Sequence, residues 1–251
     1  ESFTLSFNAN YDISNPLYYY CTSHSNMVYT YYLPIWQESQ ELYPPSPTTG
    51  EFFGYSVDIY NNNSIIGARA FNSPSNTDTG AAYIFTLQDG SWNQTQKLYA
   101  SDSSTSDSFG YSVSIDSSNC IISAIGDDLN TGAAYIFTLQ DGSWNQIQKL
   151  IASDPSDGDS FGYSVSINGD NAIVGCVGND SSRGAAYIFT LQDGSWNQIQ
   201  KLTASDADEY NYFGISVSIN GNTAVVGANG NLSYSGAAYV FTLQDGSWNQ
   251  I

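Results

Sequence analysis

A 52-residue period governs this chain. Trp92, Trp144, Trp196 and Trp248 recur at that spacing, and Trp36 precedes them with a slightly longer gap of 56 residues. Phe-Gly pairs at Phe53, Phe109, Phe161 and Phe213 keep the same order, as do Gly-Ala-Ala-Tyr runs from Gly80, Gly132, Gly184 and Gly236. The decapeptide Phe-Thr-Leu-Gln-Asp-Gly-Ser-Trp-Asn-Gln stands unchanged four times, from Phe85, Phe137, Phe189 and Phe241. A fixed period of this size means one supersecondary unit stacked on copies of itself, each unit burying its neighbour's apolar face. The 251 residues hold just under five such units.

Each unit reads as strand throughout. From Phe161 to Ile167 the residues alternate, with Tyr163, Val165 and Ile167 on one side and Gly162, Ser164 and Ser166 on the other. Asn168-Gly169 follows as a hairpin turn, because both residues tolerate positive φ. Ala172–Cys176 is a short apolar run suited to a strand covered on both faces. After a variable loop over 177–183 come Ala185–Gln192, an Asp193-Gly194 turn, and a more polar strand from Trp196 to Ala204. No stretch carries a capped helical period, so no helix is expected. Four antiparallel strands in about 50 residues, repeated around a ring, describe the blade of a β-propeller.

The expected fold is therefore all-β: a propeller of about five four-stranded antiparallel blades, either closed at five or part of a larger ring. Residues 1–50 form a divergent N-terminal blade, with Leu17–Cys21, Met27–Leu33 and Trp36–Leu42 as its strands and Phe3–Ala9 as a possible pairing strand. Residues 51–251 form four near-identical blades of the same propeller domain. The N-terminal strand Glu1–Ala9 is expected to complete a sheet it does not begin, in its own ring or in the next subunit.

Charge and composition narrow the function. With 5 basic and 24 acidic residues the chain carries −19, and it has no basic cluster. That argues against nucleic acid and anionic membrane surfaces as partners. No apolar run is long enough to span a bilayer, so no membrane insertion is expected. A hydrophobic content of 41% is too high for a disordered acidic tail. One histidine, His24, and three cysteines, Cys21, Cys120 and Cys176, leave few parts for nucleophilic catalysis. The cysteines read as small buried residues of second strands.

The order Phe-Gly-Tyr-Ser-Val-Ser-Ile, then Ala-Ile-Val-Gly, then Gly-Ala-Ala-Tyr-Ile-Phe, as at 161–189, resembles the FG-GAP repeat of integrin α chains and related surface proteins. The resemblance covers residues 52–251. It implies a propeller with the Phe-Gly strand innermost and the Trp strand outermost. It also implies an extracellular adhesive or interaction module in place of an enzyme. Members of that family often hold calcium between the first and second strands. Here that connection is a tight turn, Asn168-Gly169 or Asn220-Gly221, or a few residues over Asn61–Ser64, too short for six or more oxygen ligands.

On one rim Asp89, Asp141, Asp193 and Asp245 recur in identical Asp-Gly turns, a backbone role. The other rim varies and gathers carboxylates. Asp154, Asp157 and Asp159 lie within six residues and are the candidate cation site, with Ca2+ the fitting ion; no other cofactor is expected. The Trp residues, one per unit, are expected to pack between blades, and Lys97, Lys149 and Lys201 to guard an exposed edge against aggregation. Sequons at Asn62, Asn93, Asn179 and Asn231 are the candidate glycosylation sites. The reading that follows is a non-catalytic extracellular or cell-surface structural and adhesive propeller, a subunit of a coat or fibre. Its partners would be copies of itself, or other surface proteins and glycans. The rival reading is a carbohydrate- or cation-binding module on the acidic rim. A propeller hydrolase or lyase dependent on His24 is the third.

Overall fold

The computed structural model describes residues 17–20, 28–31, 40–46, 49–70, 79–230 and 235–251. The chain forms two compact units, Glu1–Glu41 and Leu42–Ile251. In the first, β1 (Leu17–Tyr20) pairs antiparallel with β2 (Val28–Tyr31), Leu17 opposite Tyr31. They fall within the expected strands Leu17–Cys21 and Met27–Leu33. Glu1–Ala9, Cys21, His24 and Trp36 lie outside the described residues. The division falls at 41/42 and not at 50/51, because Leu42 packs on the cluster of Ile66, Ala68, Ala81, Tyr83 and Phe85.

The second unit is four antiparallel four-stranded sheets. Blade I holds β3 (Phe53–Tyr60), β4 (Asn63–Ala68), β5 (Ala81–Gln88) and β6 (Ser91–Leu98); blade II holds β7 (Phe109–Asp116), β8 (Asn119–Ala124), β9 (Ala133–Gln140) and β10 (Ser143–Leu150). Blade III holds β11 (Phe161–Asn168), β12 (Asn171–Cys176), β13 (Ala185–Gln192) and β14 (Ser195–Leu202); blade IV holds β15 (Ser216–Asn220), β16 (Thr223–Ala228), β17 (Ala237–Gln244) and β18 (Ser247–Gln250). Sheet order follows chain order, and the first strands of successive blades lie side by side. The Phe-Gly strands thus converge while the Trp strands splay outward, as a propeller requires.

The two glycine motifs explain each other across the blade junction. Phe161 N–H donates to Thr131 O at 2.8 Å, and Phe213 N–H to Arg183 O at 3.0 Å, so the Phe-Gly of one blade meets the Gly-Ala-Ala of the blade before it. A Cβ on Gly132 would stand 2.2 Å from the Phe161 carbonyl oxygen, and Gly132 has φ +84°. Only glycine allows that approach.

Apolar clusters run from each blade into the next. Ile121, Ala134, Ile136 and Leu150 of blade II pack with Val165, Ile167, Val174, Tyr187 and Trp196 of blade III. Trp144, Trp196 and Trp248 are buried in equivalent clusters, the packing role their spacing implied. Cys120 and Cys176 are fully buried, and burial pushes both thiols far above their ordinary range.

One expectation fails. The loops after β8 and β12 each contain a single helical turn, α1 (Asp127–Asn130) and α2 (Asn179–Ser182). Asp128, Leu129 and Asn130, and likewise Asp180, Ser181 and Ser182, have positive φ. A left-handed turn this short has no apolar periodicity, so no sequence period announces it.

Candidate functional site

The variable rim is built from these turns and from the connections between blades. At the junction of blades I and II, Lys149 Nζ on β10 lies 2.7 Å from Asp102 Oδ2 and 2.9 Å from Asp127 Oδ2. Tyr135 OH donates to Asp127 Oδ1 at 3.3 Å. One junction further, Lys201 Nζ on β14 lies 2.6 Å from Asp154 Oδ2 and donates to Asn179 Oδ1 at 2.8 Å. Tyr187 OH donates to Asp154 Oδ1 at 2.8 Å. Lys97, in blade I, has Glu51 at 4.0 Å and sits 4.6 Å from the centre of the Tyr83 ring. The lysines expected to guard an exposed edge are instead ties between a Trp strand and the rim loops.

A buried polar residue recurs at one repeat position: Glu51, Asp107, Asp159 and Asn211, each about 5% exposed or less. Asp107 accepts from Ser104 N–H at 2.5 Å, and Asp159 accepts from Ser156 N–H at 3.1 Å and from Asn179 Nδ2 at 3.2 Å. Burial raises the Asp107 carboxyl above its ordinary value, and the nearby Asp127 and Asp102 charges add to it against the Ser104 bond. Lys149 is also raised, but for the opposite reason: burial would lower it, and the bonds and charges of Asp102 and Asp127 hold it above the usual lysine value. Burial takes Lys97 down to about 8, since Glu51 offsets only part of the desolvation. A recess of about 500 Å³ opens beside this cluster, lined by Ser104, Asp107, Asp127, Thr131, Lys149 and Pro155.

The candidate cation site does not assemble. Asp154 is taken by Lys201 and Tyr187, Asp159 is buried under Asn179, and Asp157 is exposed with no shared focus. Among the described residues no three histidine, cysteine or carboxylate groups converge on a point that could hold a metal. The first-to-second-strand turns do not fit calcium either. Asp116 accepts from Gly169 N–H, and Asn168 Oδ1 accepts from Gly221 N–H at 2.9 Å, so these oxygens tie one blade to the next.

The sequons separate by burial. Asn62 and Asn93 are exposed and Asn231 lies outside the described residues. Asn179 is 6% exposed with its amide nitrogen bonded to Asp159, so a glycan there would require the side chain to leave its socket.

A second set of contacts escaped sequence reasoning. Gln96, Gln148 and Gln200 each reach the next blade and hold both backbone groups of its tryptophan. For Gln148, Nε2 donates to Trp196 O at 2.7 Å, and Trp196 N–H donates to Oε1 at 2.8 Å. The signal was present: the Gln recurs with the period, immediately before the lysine, in every complete copy of the strand.

Among the described residues no helix is long and apolar enough to cross a membrane. No curated sequence matches the chain. Among solved structures, hydrazine synthase of Kuenenia stuttgartiensis aligns with a TM-score of 0.52 at 12% identity, over 83% of this chain and 53% of that one. The likeness is one of fold, and the chain spans about half the length of that structure. The FG-GAP repeat model matches residues 36–85, 92–137, 144–189 and 196–241. The last three matches each run from a Trp strand, β6, β10 or β14, across a junction into the Gly-Ala-Ala strand of the following blade, the span held by the glycine contacts. By those four consecutive matches and the blades they form, the chain belongs to the FG-GAP repeat family.

Proposed function

We propose that this chain is a non-catalytic structural and adhesive propeller that works outside the cell or at its surface and joins copies of itself into a coat or fibre. One observation supports the reading most. Equivalent residues are sealed at the junctions between blades I, II, III and IV and exposed on the far faces of blades I and IV. Val113, Ile115, Val165 and Ile167 are 4–7% exposed, while Val57 and Ile59 of blade I are 67% and 60% exposed. On the opposite face Ile65, Ile121 and Ile173 are fully buried, while Val225 of blade IV is 39% exposed. The two bare faces carry the residue types that pack together at every inner junction. A second copy brings the complement to each, and a head-to-tail contact of this kind closes into a ring or continues as a filament. The polar machinery of the rim is consumed in ties between segments, and the buried thiols are poor nucleophiles, which supports a role without turnover.

Sedimentation and electron microscopy of the full chain test this. Concentration-dependent oligomers or filaments are expected, with Val225→Lys and Val57→Lys each reverting them to monomers of unchanged secondary structure. Monomers at all concentrations in both wild type and variants would overturn it. A second reading, glycan recognition, is favoured by the recess beside Asp107 and Lys149. Binding on a glycan array that Thr131→Trp abolishes would favour it over assembly.

A further inference from the structure

We propose that Lys201 and Asn179 form an intramolecular isopeptide bond, with Asp159 and Asp154 moving the protons. This stands independently of the assembly role.

Three separate segments bring the groups together. Lys201 comes from the outer strand β14, Asn179 from the turn α2, and Asp159 from the connection entering blade III. The amine lies 2.8 Å from the Asn179 amide oxygen, and the amide nitrogen lies 3.2 Å from Asp159 Oδ2. Asn179 and Asp159 are 6% and 4% exposed, so the acyl group and its neighbouring acid are shielded from water. Asp154 Oδ2, 2.6 Å from the amine, is placed to take a proton from it. Nucleophile, acyl carbon and proton carriers are thus held on a rigid scaffold, where proximity substitutes for a high concentration of amine. One event per molecule suffices, so a slow reaction is enough.

The step balances. Asp154 takes one proton from the Lys201 ammonium, and the free amine attacks Cγ of Asn179. The Nζ–Cγ bond forms and the Cγ–Nδ2 bond breaks. Asp159, against the departing nitrogen, relays to it the proton that the attacking nitrogen sheds. Ammonia leaves and takes the proton held by Asp154, so the products are an amide and an ammonium ion. No oxidant or cofactor is needed.

The molecule carries its own control. At the preceding junction Lys149 faces two carboxylates, Asp102 and Asp127, in place of one carboxylate and one amide. Two anions keep an ammonium charged and present a carboxylate, a poor acyl acceptor, so Lys149 stays an ion pair. The proposal is therefore specific to blade III.

Intact-mass measurement of the folded full chain, with peptide mapping, decides it. A mass lower than the sequence mass by one ammonia is expected, with residues 179 and 201 in one branched peptide and Lys149 free. Lys201→Arg and Asn179→Ala restore the full mass. Asp159→Asn, the residue that blade IV carries at this position, slows the loss at least tenfold while near-ultraviolet circular dichroism stays unchanged. An intact mass equal to the sequence mass after prolonged incubation of folded protein overturns the proposal. So does ammonia loss mapped to Asn168 or Asn220, whose Asn-Gly pairs lose ammonia by forming succinimides. Should Lys201→Arg or Asn179→Ala fail to fold, the branched peptide from wild type alone still gives the answer.

Discussion

Asp107 shows how one buried residue sets a pH dependence. Its carboxyl is raised by burial and by Asp127 and Asp102. A carboxyl whose folded pKa exceeds its unfolded one supports the fold below the ordinary carboxylate range and loses that support as pH climbs through the raised value. Asn211, buried at the same repeat position, shows that an amide fits the socket. Asp107→Asn should therefore gain on wild type by on the order of 1 kcal/mol as pH rises from about 3 to 7, and show no gain at the acid end. Urea unfolding at several pH values measures it; an equal gain at every pH would refute the assignment. A second residue, Gly175, is constrained by space. A Cβ there would stand 2.0 Å from Gly214 O and 2.5 Å from Ser164 Oγ. Gly175→Ala should cost about 1–3 kcal/mol by forcing blades III and IV apart. Blade II resolves the same position differently, with Ser123 Oγ accepting from Ser112 N–H at 3.0 Å.

At the scale of the element, the Trp strand is the busiest part of the blade. Gln148 holds both backbone groups of Trp196 in a half-buried site, whereas Gln146 donates to Ser101 Oγ at 2.9 Å in an exposed one. Gln148→Ala is expected to cost about 1–3 kcal/mol, and Gln146→Ala under about 1 kcal/mol, in thermal unfolding. The lysines of this strand should differ in chemistry as well. Lys97, lowered to about 8, should acylate faster at neutral pH than Lys149, which two carboxylates keep charged, in a timed labelling experiment read by mass spectrometry. Strands such as Ala185–Gln192 were legible in the sequence because alternation, apolar runs and Asp-Gly turns are local signals. The rim was legible only as a place. What Asp154, Asp157 and Asp159 do depends on partners such as Lys201, 47 residues from Asp154, and on a left-handed turn without a pattern of its own. Proximity in sequence suggested a shared ion, and the fold pointed the three carboxylates apart.

At the scale of the whole molecule, stability should be graded along the array. In a stack of repeats each unit is held by its neighbours, so end units open first. Amide exchange should be slowest around Ile121 and Ile173, both fully buried between blades, and faster around Val225 at the bare face. Uniform exchange across blades II, III and IV would contradict this ordering. The net charge of −19 adds a long-range term, since copies approaching end to end repel. Any assembly should therefore strengthen as salt rises towards the range where the Debye length falls below about 8 Å, readable by light scattering.

The glutamine ties have a genetic consequence. Gln96, Gln148 and Gln200 each mate with a tryptophan 48 residues further on, in the next blade. Because the partner always sits at the same distance, cutting out or copying 52 residues leaves every tie mated, wherever within the repeats the breakpoints fall. Near-identical coding segments are prone to unequal crossing-over, and here the products would be foldable arrays one blade shorter or longer. Selection could adjust the length of such a chain in whole blades without inventing a new interface, and alleles differing by multiples of one repeat are the trace this would leave.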